Sequence, residues 1–179
     1  MPQSRSTRSF VRPLIASLGL ALAATTAQAA PAADIRALAQ QEQQPLLDTL
    51  RDLVQIESGS KDLDGLNQIA ARIAAELKQL GGAVDILQTT DIYRLDDTPE
   101  KIGPAVRAVF KGTGSAKIML IAHMDTVYLK GMLKDQPFRI DGDKAYGLGI
   151  ADDKQGIAVI VHALAMLRDL GVRDYGTIT

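Results

Sequence analysis

Apolar residues recur at helical spacing in three stretches of this chain and in shorter blocks between them. Leu46, Leu47, Leu50, Leu53 and Val54 repeat every three or four positions from Pro45, a residue suited to a first helical turn, until Ser58-Gly59-Ser60 breaks the pattern. A second helix is expected from about Asp64, read as its N-cap, through Leu66, Ile69, Ile73, Leu77 and Leu80, with Gly81-Gly82 as its stop. A third runs from about Lys154 to Leu170, carrying Ile157, Ile160, Val161, Leu164 and Leu167 and ending at Gly171.

The blocks between the helices have strand character. Val84–Leu87 and Ala105–Phe110 are separated by a polar surface loop that contains Thr98-Pro99 and Gly103-Pro104. After the turn-forming Lys111–Gly114, the apolar run Lys117–Ala122 reads as a strand buried on both faces. A hairpin is expected across Asp141-Gly142-Asp143, joining Phe138–Ile140 to Lys144–Tyr146, and Thr177–Thr179 opens a further strand. Helices alternating with strands predict an α/β layered sheet with functional loops at strand ends.

Composition narrows the partners. Twenty basic and 21 acidic residues leave a net charge of −1 without single-sign blocks, so no polyanion-binding surface is indicated and nucleic acid is not expected as a partner. Residues 1–29 follow the layout of a secretory signal: Arg5, Arg8 and Arg12, then apolar Leu14–Ala24, then Ala27-Gln28-Ala29 with cleavage expected after Ala29. The apolar stretch is well short of the roughly 20 residues that span a bilayer, so no anchor is expected after cleavage and the protein is placed in the periplasm or outside the cell. Residues 30–179 are the mature part. The chain has no cysteine, which excludes disulfides, thiolate metal sites and cysteine nucleophiles, and leaves a normal core or a bound metal to supply stability.

Two segments carry chemistry. His123-Met124-Asp125 follows the apolar run directly, and alternation puts His123 and Asp125 on one side of an extended chain. A carboxylate there can accept the second ring N–H of a metal-binding histidine, fixing its tautomer. Twenty-nine positions later, Gly147-Leu148-Gly149-Ile150-Ala151-Asp152-Asp153 sets two carboxylates before the third helix. Imidazole and carboxylate are ligands that zinc takes when no thiolate is offered, and one carboxylate can bridge two cations. Asp152 is the candidate bridge, while Asp153 is expected to accept from backbone amides at the helix start. Read alone, the pair fits helix capping better than metal binding. Gly147 and Gly149 fit a turn whose backbone passes close to a ligand.

Other polar residues read as structural. His162 lies among Ile160, Val161 and Leu164 and is expected to pack or face solvent. Lys130 and Lys134 flank a loop glycine as solvated charges, and Asp62 and Asp64 read as charges at a helix N-terminus. Ser58-Gly59-Ser60 is not a nucleophile elbow.

Taken together, the strings HMDTVYLKG from His123, PFRIDGDKAYG from Pro137, GIADDK from Gly149 and GVRDYGTIT from Gly171 bring in a family. From about Gln44 to Thr179 the chain resembles the zinc-dependent exopeptidases and deacylases that include acetylornithine deacetylase, succinyl-diaminopimelate desuccinylase and bacterial glutamate carboxypeptidase. Leu148 stands where close relatives often have proline, and Gln155 where glycine is common. The resemblance implies the N-terminal part of a zinc-exopeptidase catalytic domain, a mixed sheet flanked by helices, without the dimerisation domain. It implies His123 as a ligand to one zinc, Asp152 as the bridge between two, Asp125 as the catalytic carboxylate that orients His123, and a cis peptide between Asp152 and Asp153. It implies hydrolysis of an amide bond next to a C-terminal amino acid, glutamate in the glutamate carboxypeptidase type, with a small peptide or acyl-amino-acid as substrate. The general base and remaining ligands are expected beyond Thr179, so the isolated chain is expected to be inactive and only the full-length form to dimerise. Alternatives are an N-acyl amino acid deacylase of the same superfamily and a non-catalytic truncated remnant.

Overall fold

Where leucine and isoleucine recur every third or fourth position, the chain is helical and turns that face inward. The computed structural model describes residues 32–179, so the expected secretory signal lies outside the described residues. The helices are α1 (Ala32–Gln41), α2 (Gln43–Val54), α3 (Leu63–Gln79) and α4 (Gln155–Asp169). The strands are β1 (Ala83–Leu87), β2 (Ala105–Lys111), β3 (Lys117–Ile118), β4 (Arg139–Asp141), β5 (Lys144–Tyr146) and β6 (Thr177–Ile178). The periodic stretches fall on α2, α3 and α4, and the hairpin falls on β4 and β5. Helix α1 was not expected; its side chains are largely exposed, so it has no apolar stripe to announce it.

Helix α3 is capped two residues earlier than Asp64. Its cap is Asp62, whose backbone is non-helical at φ −94° and ψ 85° and whose carboxylate accepts from Gly65 N at 3.3 Å. Asp64 sits inside the first turn, where a negative charge still suits the exposed N–H groups. Gly81 and Gly171 follow α3 and α4 at φ 91° and 65°, the left-handed conformation that closes a helix.

The main sheet has the order β1-β2-β6-β3. It is antiparallel from β1 to β6 and parallel between β6 and β3, so it is mixed. Helix α3 packs on β1 and β2, and α2 packs on α4. Their shared core contains Leu50, Leu53 and Val54 from α2, Ile69, Ile73 and Leu77 from α3, Ala108, Phe110 and Ile178 from the sheet, and Ile157, Ala158, Val161 and Leu164 from α4. No described helix is long and apolar enough to cross a membrane.

The run Lys117–Ala122 departs from expectation. Regular strand covers only Lys117–Ile118, although pairing persists through Thr179 N to Ile118 O and Leu120 N to Thr179 O, both at 2.9 Å. The run is not buried on both faces: Ile118, Met119 and Leu120 are exposed, and Ile121 is 81% exposed. Among the described residues no element covers that side, so an apolar run written for burial stands open. Its inner neighbours Ala122 and Met124 do pack against the core.

Candidate functional site

His123 and Asp152 are brought together by two different devices. The extended chain leaving β3 carries His123 to the end of the sheet. Asp152 lies in a wide turn over Ile150–Lys154, closed by Lys154 N donating to Gly149 O at 3.1 Å. Within that turn Asp152 and Asp153 leave helical geometry, at φ −144° and −133°, and the peptide bond between them is cis, as the resemblance implied. From this turn Asp152 reaches the end of the sheet, where its Oδ1 lies close to the His123 ring.

The imidazole of His123 sits between two carboxylates. Nδ1 lies 3.1 Å from Asp125 Oδ1, and Nε2 lies 2.9 Å from Asp152 Oδ1. Partial burial lowers the His123 pKa, but the hydrogen bonds to Asp152 and Asp125 and the Asp125 charge outweigh it and raise the pKa above 6.5. The site opens to solvent, with the His123 side chain 49% and Asp152 80% exposed.

A third segment underlies both. Residues Ser58–Ser60 lie alongside Met124–Thr126: Thr126 N donates to Ser58 O at 2.8 Å, Ser60 N donates to Thr126 O at 3.0 Å, and Gly59 pairs with Thr126 in parallel sense. A Cβ on Gly59 would stand 2.4 Å from Tyr128 O, so only glycine permits this approach. The Ser58 hydroxyl donates to Met124 O at 2.7 Å, and the Ser60 hydroxyl donates to Asp125 Oδ2 at 2.7 Å. On the other side, the buried Lys154 donates from Nζ to Ile56 O at 2.7 Å, tying the Asp152 turn to the same segment. Glu57 accepts from Gly131 N and Leu133 N, both oxygens within 2.9 Å, and so holds the loop that follows the His123 strand.

None of Glu57, Ser58, Ser60 and Lys154 was picked out from the sequence. The signal that could have marked the serines is a glycine between two small polar residues directly after a helix, a composition that lets one strand of the chain lie flat against another.

Several expectations need correction. Among the described residues no backbone amide donates to Asp153; its carboxylate lies over Gly156, and α4 starts without a side-chain cap. Gly147 and Gly149 also make close approaches to the Val54 and Thr126 side chains, a packing demand that the sequence reading did not include. Lys130 is exposed but reaches Asp62 Oδ2 at 3.2 Å, bracing the loop that Glu57 holds. His162 is a packing histidine: it is buried, with Nδ1 2.6 Å from Glu42 Oε2 and Nε2 3.0 Å from Thr49 Oγ1, linking α4 to the α1–α2 junction and to α2.

Residues 119–179, which hold His123, Asp125 and Asp152, match the family model described as Peptidase family M20/M25/M40. Over 167 residues the chain is 44% identical to carboxypeptidase G2 of Pseudomonas sp. (strain RS-16), covering 93% of this chain and 38% of that protein. The chain belongs to this peptidase family. It is also 30% identical over 128 residues to a putative succinyl-diaminopimelate desuccinylase of Mycobacterium tuberculosis (strain CDC 1551 / Oshkosh), covering 69% of this chain and 32% of the relative. The crystal structure of human carnosine dipeptidase 1 superposes with a TM-score of 0.60 at 22% identity over 80% of this chain and 32% of that one, a likeness of fold. The chain thus spans 38% and 32% of the length of the curated relatives it matches.

In this M20-family chain, the donor chemistry at the site suits a zinc ion in kind but not in number. His123 Nε2 and Asp152 Oδ1 converge, while among the described residues no group of three or more His, Cys, Asp or Glu side chains could hold a metal. Zinc sites are generally four-coordinate. The described residues therefore offer two positions of such a site.

Proposed function

We propose that this protein is a metal-dependent exopeptidase that hydrolyses an amide bond next to a C-terminal amino acid, glutamate first among the candidates. His123 and Asp152 are its metal donors within these residues, and Asp125 is the carboxylate that orients His123. The observation that supports this reading is the His123 ring held between two carboxylates, one at each nitrogen. Asp125 accepts the Nδ1 proton, so a metal that displaces the proton shared between Nε2 and Asp152 would meet the Nε2 lone pair, which is the arrangement a metal-binding histidine requires. Two zinc ions are proposed for the complete enzyme, which His123 and Asp152 would help to hold; when bound, zinc would supply Lewis-acid polarisation of the scissile carbonyl and make water more acidic.

The 44% identity to carboxypeptidase G2 over most of the chain favours the carboxypeptidase reading. The likeness to a desuccinylase supports a second: a deacylase that removes an acyl group from an amino acid. Both reactions break an amide, and they differ in which side of the bond the protein must recognise. The test is hydrolysis of a glutamate-terminated peptide and of an N-succinyl amino acid by the product of the full reading frame, with zinc and with chelator. Chelation and His123→Ala should each abolish hydrolysis; activity that survives both would overturn the site. Faster turnover of the succinylated substrate would select the deacylase. With two donors, the 179 residues alone should bind zinc weakly, and tight uptake of two ions in calorimetry would show that further donors lie within them.

Export is proposed from Arg5, Arg8 and Arg12, the apolar stretch and Ala27-Gln28-Ala29. Mass spectrometry of the native protein should find an N-terminus near Ala30, and intact Met1 in the main cytoplasmic pool would refute it.

A further inference from the structure

Asp125 has two carboxylate oxygens, and each is committed. Oδ1 faces His123 Nδ1 at 3.1 Å, and Oδ2 accepts from the Ser60 hydroxyl at 2.7 Å. The same hydroxyl lies 3.2 Å from Thr126 O, but it has one proton, and the shorter contact to a charged acceptor is the stronger claim on it. Ser60 is itself fixed by its backbone, since its N–H donates to Thr126 O at 3.0 Å. The hydroxyl thus approaches Asp125 from a segment that does not move independently of the site.

We infer that Ser60 is a positioning residue: its hydroxyl holds the Asp125 carboxylate in the rotation that directs Oδ1 at His123 Nδ1. Without it, Oδ2 loses its partner and the carboxylate is free to turn about its Cβ–Cγ bond, a broad and shallow torsion. The Nδ1 proton of His123 is then left with the Asp125 carbonyl oxygen, also 3.1 Å away, as its one fixed acceptor, and the tautomer that frees Nε2 for a metal is held less firmly. The role rests on the metal-site reading of His123, yet its geometry is defined in the chain without metal. Ser58 serves as the contrast: its hydroxyl closes the same ladder at Met124 O but makes no contact with Asp125.

The test uses the 179 residues with ¹⁵N-labelled histidine, since His123 and His162 are their two histidines and the ring signals can be told apart. An Asp152→Ala background removes the competing acceptor at Nε2, and the neutral His123 ring should then carry its proton on Nδ1. Adding Ser60→Ala should move the proton toward Nε2 while the His162 signals stay in place, which reports an intact fold. Ser60→Thr restores a hydroxyl and should return the proton to Nδ1, and Ser58→Ala should not shift it. With Asp152 intact, Ser60→Ala should weaken zinc binding about 10- to 100-fold, the range found when groups behind a metal ligand are removed. A His123 tautomer insensitive to Ser60→Ala, or shifted equally by Ser58→Ala, would overturn the inference. A tautomer shift in a protein that binds no zinc would leave Ser60 in its role and refute the metal reading instead.

Discussion

Lys154 is buried in the core, and the cost of its charge depends on pH in a way that can be measured. The side chain is 1% exposed, and burial pulls its pKa from 10.5 down to about 8 against the opposing attraction of Glu57. The gap between 10.5 and about 8 corresponds to about 3 kcal/mol at 1.36 kcal/mol per pH step. A lowered lysine pKa means that between those two values the unfolded chain still holds a proton that the folded chain has released. Stability must therefore rise with pH from about 8 to 10.5, with the full cost present below that window and none above it. Lys154→Met keeps most of the volume and removes the charge, at a penalty of about 1–3 kcal/mol for leaving Ile56 O without its donor. That penalty is independent of pH. Urea unfolding in chelator, followed by circular dichroism from neutrality to above 10.5, should show the wild-type advantage over Lys154→Met growing by about 3 kcal/mol across the window. A difference between the two proteins that stays flat would refute the assignment of the cost to a buried ammonium.

Glu57 gives a second pH effect, at the acid end of the range. Hydrogen bonds from Leu133 N and Gly131 N hold its pKa below 4.5, so the bracing of their loop is present above 4.5 and is lost as acid protonates the folded carboxylate. Hydrogen-exchange protection at Gly131 and Leu133 should fall on acidification, and in Glu57→Gln it should be low throughout; equal protection in both proteins would count against the brace. Gly65→Ala should destabilise by about 1–3 kcal/mol or more, because the new Cβ would stand 1.8 Å from Glu57 O and one backbone must yield. Its urea midpoint is the check. Leu53→Ala, at a position with 0% exposure, should cost about 2–5 kcal/mol by the same assay.

Apolar periodicity made α2, α3 and α4 legible because each presents a stripe of leucine and isoleucine to one core. It failed for α1, which has little to bury, and it overstated Lys117–Ala122, since an apolar run records what a strand is suited to and not what lies across from it. The cap of α3 was misplaced because Asp62 and Asp64 are chemically alike and only backbone angles separate them. At the site, His123, Asp125 and Asp152 stood out because their residue types and close spacing carry chemistry of their own. Ser60, Glu57 and Lys154 did not, since each acts on groups 65 to 98 positions away and has no local pattern to mark it.

The ladder between Ser58–Ser60 and Met124–Thr126 also orders events in time. Closing a ring of about 65 residues costs roughly 4 kcal/mol of chain entropy, and its few hydrogen bonds form only after that closure. Helical turns within α2 and α3 need no such closure and can form first. The chain therefore passes through states with helices in place and His123 still unaligned. Run backwards, the same path means that the first loosening of this protein takes His123 out of alignment with Asp152 while most of its secondary structure survives.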